Sequence, residues 1–277
     1  MFWLPRSMST PNSLTMSQRP SLNVRFHGLG VGSNVSGLGV GSLRTRIVSA
    51  GVIAATFAWL VANLHGASAR PVSFRAESGR TVNAMLFEAD QRPAPAVVLL
   101  PMLGRSKDDW QAAAQKLADA NITALAIDLP AQTLPADAKE LASWPDDVRA
   151  SVSFLAGRPE VRPGAIGIAG ASLGANLGAQ AAASDPRVRA LTLISPSLEY
   201  RGVRIEMAMR QYGSRPALLI SSLHDPYAAR SARELAKEAP GPRELRWSET
   251  TAHGTQLLAQ DADLVRALVE WFQRTLG

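Results

Sequence analysis

The sequence contains no cysteine. That excludes disulfides, a thiolate nucleophile, a lipid anchor through cysteine and cysteine-based zinc sites. It leaves the redox compartment open, because an exported protein can be stable without bridges. Aromatic residues are scarce, at 6%. Histidines number four: His27, His65, His224 and His253. Acidic residues are missing altogether before Glu77, whereas six arginines (Arg6, Arg19, Arg25, Arg44, Arg46 and Arg70) fall in residues 1–70. The formal net charge of +6 therefore belongs to that segment, and the remainder balances 23 bases against 23 acids. A basic nucleic-acid-binding face on the neutral remainder is not expected.

What is present is a globular composition, 46% apolar over 277 residues and rich in Ala, Leu and Arg. One sizeable α/β core is within that length. Residues 1–43 are rich in Ser, Gly, Pro and Asn and read as low-complexity, disordered chain. Gly28–Ser33 recurs nine residues later as Gly37–Ser42. Neither copy has the preceding strand and following helix that a phosphate-cradling loop needs.

Arg44 and Arg46 then precede Ile47–Leu64, eighteen residues without charge, and Ala67-Ser68-Ala69 follows. A positive flank, an apolar core and an A-x-A site are the three parts of a secretory signal peptide, cleaved here after Ala69. Eighteen residues also span about 27 Å as a helix, so an uncleaved membrane anchor is the competing reading, and a buried core helix is a third. Both leading readings over residues 44–69 export the body at 70–277, because arginines favour the cytoplasmic side. Membrane association, if any, runs through residues 47–64.

From residue 72 short apolar runs alternate with helical patterns. Val82–Glu88 and Ala96–Leu100 read as neighbouring strands. Asp108–Ala120 reads as a helix with Trp110, Ala114, Leu117 and Ala118 on one face. Thr123–Ile127, Ala165–Ala169, Ala190–Ile194, Ala217–Ser221 and Glu244–Trp247 read as further strands. Helices are expected at Trp144–Ala156, Leu173–Ala183, about Tyr227–Ala239 and Ala262–Thr275. Near-continuous apolar strands separated by helices imply one doubly wound α/β domain, a mostly parallel sheet with helices on both faces. Sites in such sheets lie at the carboxyl ends of strands.

Three polar features sit there. Gly170-Ala171-Ser172-Leu173-Gly174 lies between a strand and a helix of small residues. A serine on so sharp a turn needs small neighbours two residues away on each side, because backbone passes close. The following helix aims its N-terminus at the site. Asp225 follows the strand Ala217–Ser221, and His253 sits in the loop before the last helix. The order Ser, Asp, His fits a nucleophile Ser172, a base His253 and an orienting acid Asp225. Taken alone, Asp225 reads as a cap for the helix beginning near Tyr227, and His253 as a surface-loop histidine. His224 adjoins Asp225 too closely in sequence to be oriented by it. Asp128 also ends a strand but precedes the serine, and reads as structural.

With these residues in place, residues 96–277 resemble the α/β-hydrolase superfamily. The likeness is carried by Ala96–Gly104 with Asp109-Trp110, by Ala124–Pro130, by the elbow, by Asp225 and by Ala252-His253-Gly254. The resemblance implies an oxyanion hole of backbone N–H groups from Leu173 and Leu103, with Met102 the alternative to Leu103. Many members carry His-Gly where this chain has Pro101-Met102. The connection Ser195–Arg215 is too short for a large cap domain, which fits the small esterase or dienelactone-hydrolase-like branch. The expected activity is carboxylic ester hydrolysis on a small-molecule acyl substrate. A peptidase, thioesterase or acyltransferase on the same triad, or a non-catalytic binding protein, is the alternative. No motif points to a metal or an organic cofactor. Arg201, Arg204 and Arg210 in the short connection read either as a solvated helix face or as a grip for an acidic substrate.

Overall fold

The computed structural model describes residues 68–277, apart from Ala136 and Ala239. The low-complexity segment and all of the leader up to Ala67 lie outside the described residues. In chain order the strands are β1 (Ala69–Arg75), β2 (Thr81–Phe87), β3 (Ala94–Leu100), β4 (Thr123–Ile127), β5 (Val161–Ala171), β6 (Val188–Ile194), β7 (Glu199–Tyr200), β8 (Val203–Arg204), β9 (Ala217–Ser222) and β10 (Arg243–Ser248). The helices are α1 (Gln111–Asp119), α2 (Ala138–Ala142), α3 (Pro145–Ala156), α4 (Leu173–Ser184), α5 (Glu206–Tyr212), α6 (Pro226–Glu238), α7 (Thr255–Gln260) and α8 (Ala262–Leu276), with a 3-10 turn at Lys107–Trp110 before α1.

Eight strands form one sheet in the order β1-β2-β4-β3-β5-β6-β9-β10. β1 and β2 are antiparallel to each other, β2 is antiparallel to β4, and the remaining pairs are parallel. The inner strands β3 and β4 are buried at every residue, because helices cover both faces of a parallel sheet. Val97, Val98, Leu99 and Leu100 are wholly out of water, each contributing roughly 1.5–3 kcal/mol. One apolar cluster joins the sheet to residues of α3, α4, α5 and α6, and a second joins it to the 3-10 turn, α1, α7 and α8. This is the doubly wound architecture expected from the alternation of elements.

Three details differ from the sequence reading. β2 and β3 are not neighbours, because β4 lies between them. β3 is apolar on both faces and takes two parallel partners, while β2 alternates exposed and buried residues and stays near the antiparallel edge. The helix expected from Asp108 begins instead as the 3-10 turn, where the Ser106 side chain accepts from the Asp108 N–H. The short elements β1, β7, β8, α2, α5 and α7 carry too little periodicity to stand out. Of these, the β7–β8 ribbon and α5 occupy the Ser195–Arg215 connection, so no large cap is built there. Among the described residues no helix is long and apolar enough to cross a membrane.

Candidate active site

β5 stops at Ala171, and Ser172 makes the turn into α4 at φ 52° and ψ −119°. A non-glycine residue in such a conformation stores on the order of 1–3 kcal/mol of strain, which persists only where surrounding contacts enforce it. Here they do. The Ser172 N–H donates to the Ile194 carbonyl at 2.8 Å, extending the β5–β6 ladder by one bond, while the Ala175 N–H donates to the Ser172 carbonyl at 2.9 Å and starts the helix. A Cβ on Gly170 would stand 2.7 Å from the Ala175 nitrogen, so the turn closes only with glycine two residues before the serine. Gly178, one turn further along α4, similarly lets the helix settle onto Ile168 and Leu100.

The structure brings the three expected residues together. His253 Nε2 lies 2.9 Å from Ser172 Oγ, and His253 Nδ1 lies 2.6 Å from Asp225 Oδ2. A carboxylate only accepts, so Nδ1 carries the proton and Nε2 is left to accept from the serine hydroxyl. The cap reading of Asp225 holds as well. Its second oxygen, Oδ1, accepts from the Ala228 N–H at 3.0 Å in the first turn of α6. One carboxylate thus does both jobs, and the helix fixes the direction in which Oδ2 faces. Ser172 is half-buried, and the His253 side chain is 41% exposed. The group is open to solvent on one side.

Other candidates fall outside this group. His224 points to Glu249, 3.8 Å away, and is largely exposed. Asp128 accepts from both the backbone N–H and the Nζ of Lys107, each at 2.9 Å, and anchors the 3-10 turn as a structural residue. Arg210 pairs with Glu238, while Arg201 and Arg204 lie exposed on the β7–β8 ribbon. Of the three arginines only Arg210 is on a helix. Among the described residues no group of three or more His, Asp or Glu side chains is gathered as a metal site.

Leu173 is the first residue of α4, so its N–H has no acceptor within the helix. Leu103 sits at the second position of a turn closed by the Arg105 N–H on the Met102 carbonyl at 3.2 Å. Gly104 occupies the next position at φ 77°, as a type II turn requires. Among the described residues neither the Leu103 nor the Leu173 N–H donates to a protein acceptor.

Several residues that hold this site escaped the sequence reading. Ser195 leaves β6 at φ 49°, and its Oγ accepts from the Gly254 N–H at 3.0 Å, beside His253. Asn176, fully buried on α4, donates to the Val203 carbonyl and accepts from the Ser197 N–H, both at 3.2 Å. Thr255 donates to Asp109 at 2.8 Å across 146 residues of sequence. The polar character of each is legible in the sequence; its partner is not.

Comparison with known proteins agrees with this fold. A polyketide transferase of Stachybotrys chlorohalonatus is 29% identical over 189 residues, which is 63% of this chain. The match spans 63% of that relative's own length, under two thirds. Among solved structures, the α/β hydrolase GrgF from a Penicillium species superposes with a TM-score of 0.65 at 16% identity, covering 76% of this chain and 99% of that one. A dienelactone hydrolase from Anabaena variabilis gives 0.63 at 18%, covering 77% and 100%. An esterase from Pyrococcus furiosus gives 0.64 at 14%, covering 76% and 94%. At those identities the likeness is one of fold. The alpha/beta hydrolase family model matches residues 97–275, most of the described chain and every residue of the hydrogen-bonded group. The chain belongs to the alpha/beta hydrolase family.

Proposed function

We propose that this protein is a serine hydrolase that cleaves carboxylic esters through an acyl-enzyme on Ser172. The observation that carries the reading is the hydrogen-bonded line from Ser172 Oγ through His253 to Asp225. In this mechanism His253 Nε2 takes the serine proton as Oγ attacks the ester carbonyl carbon, and Asp225 stabilises the resulting imidazolium. The tetrahedral oxyanion is received by the backbone N–H groups of Leu173 and Leu103, with Met102 the alternative second donor. The Leu173 N–H is at the positive end of the dipole of α4, which favours the developing negative charge. His253 then returns the proton to the leaving alkoxide, and water repeats the sequence to release the acid.

An acyl substrate of small size fits the open site and the short connection after β6. Acyl transfer to an acceptor other than water is the second reading, favoured by the polyketide transferase among the relatives. A panel of p-nitrophenyl acyl esters, assayed with and without an added alcohol, separates the two. Hydrolysis predicts free acid throughout and loss of turnover in Ser172→Ala. Transfer predicts that the new ester dominates when alcohol is present. No turnover of any acyl ester, thioester or peptide would leave a binding role instead.

We also propose that the body is exported by the leader at 44–69. Cleavage after Ala69 would leave Arg70 first in the mature chain, with its partner Leu86 across the β1–β2 ladder and its ion pair to Glu88 retained. N-terminal sequencing of the protein from its native host tests this. A start at Arg70 supports a signal peptide, and an intact segment 47–64 in the membrane fraction supports an anchor.

A further inference from the structure

We propose that Asp109 is a positioning residue that couples the turn carrying Leu103 to the loop carrying His253. The proposal rests on the serine-hydrolase reading for its consequence in turnover, but the coupling itself is a statement about two loops. Asp109 Oδ2 accepts from Thr255 Oγ1 at 2.8 Å and from Arg105 Nε at 2.7 Å, while Oδ1 accepts from Arg105 Nη2 at 2.7 Å. Arg105 closes the turn around Leu103, and Thr255 stands two residues after His253. Among the described residues the Asp109 side chain hydrogen-bonds to neither Ser172 nor His253. Among the described residues its carboxylate is the single group through which the two segments are hydrogen-bonded to each other.

Three further observations support a directed role over simple filling of space. The Asp109 side chain is 15% exposed, and its charge is neutralised by a bidentate arginine, the strongest common geometry for such a pair. The Arg105 guanidinium holds its carboxyl below the usual range, with Thr255 adding to the effect. The same two segments also meet by packing: a Cβ on Gly254, at φ 60°, would stand 2.5 Å from Met102 Sδ. The base and the second oxyanion donor come from strands β10 and β3, on opposite sides of β5, and the ladder alone does not set their separation. Misplacement of a catalytic group by about 1 Å can lower turnover on the order of 100-fold.

The test uses the full chain as wild type and as Asp109→Ala, Thr255→Val, their double variant and Thr255→Ser. Steady-state p-nitrophenyl acetate turnover is read together with amide hydrogen exchange over residues 101–106 and 250–256. Thr255→Val and Asp109→Ala are expected to lower kcat about 10- to 100-fold with KM within about threefold. The double variant is expected to lose no more than the worse single one. Exchange should rise in both segments in each single variant, and Thr255→Ser, which keeps the hydroxyl, should restore turnover and protection. Unchanged kcat in Thr255→Val, losses that multiply in the double variant, or exchange raised in 250–256 alone would overturn the coupling. Failure of the hydrolase reading shows differently, as a wild type without turnover or a Ser172→Ala that keeps it. The exchange data then decide the coupling by themselves: a joint rise upholds it and unchanged protection in 101–106 overturns it.

Discussion

Gly174 lies against Pro101 with no side chain between them: a Cβ on Gly174 would overlap the Pro101 carbonyl oxygen and stand 2.7 Å from that of Leu100. The start of α4 and the end of β3 are therefore in backbone contact. Gly174→Ala is expected to destabilise the fold by about 1–3 kcal/mol, the usual cost of overpacking. Chemical denaturation measures it, and an unchanged midpoint would show that the two segments can part without loss.

Asn176 ties the β7–β8 connection to the elbow helix. With Asn176→Ala the Ser197 N–H and the Val203 carbonyl lose their partner in buried surroundings. A loss of about 1–3 kcal/mol is expected. Limited proteolysis should cut within residues 198–204 sooner than in the wild type, while far-ultraviolet circular dichroism stays the same.

Asp225→Asn keeps the shape of the acid and its cap on α6, but it removes the charge and lets the histidine tautomer reverse. Stability should change little, and turnover should fall about 10³- to 10⁴-fold. A variant that unfolds would contradict the expectation that the cap survives without the charge, and one with full turnover would remove Asp225 from the mechanism.

Acid stability should respond to Asp185. Burial raises its carboxyl pKa, but the Arg187 hydrogen bonds and charge outweigh that and hold it below the ordinary value of 3.8. A group depressed in the folded state contributes its stability in full above the unfolded value and loses it as pH falls through the folded one. Unfolding free energy should thus decline as pH drops below about 4. Asp185→Asn should lower stability near neutrality and flatten that decline. An unaltered slope between pH 4 and 2 would contradict the assignment.

The parts of this fold legible in the sequence are those fixed by neighbours along the chain. The elbow is one, since Gly170 is demanded by contacts within a single turn, although Gly174 answers to the distant end of β3. The strand β4 is another, four apolar residues in a row after Thr123, between a helix and a loop. The order Ser172, Asp225, His253 is legible because each follows a recognisable strand. The rest depends on pairings at a distance. Nothing local says that β4 separates β2 from β3, that Asp109 meets Thr255, or that Ser195 holds the Gly254 N–H. Asp225 shows how a local reading can be right and incomplete: one of its oxygens caps α6, and the other faces a histidine 28 residues further along.

The proposed chemistry stands on Ser172 as the nucleophile, made reactive by His253. The most direct measurement is mass-spectrometric mapping of the protein after treatment with a fluorophosphonate. A single stoichiometric adduct is expected on the peptide containing Ser172, absent in Ser172→Ala and formed at least about 100-fold more slowly in His253→Ala. An unmodified Ser172 in folded wild-type protein, or equal labelling in His253→Ala, would contradict it.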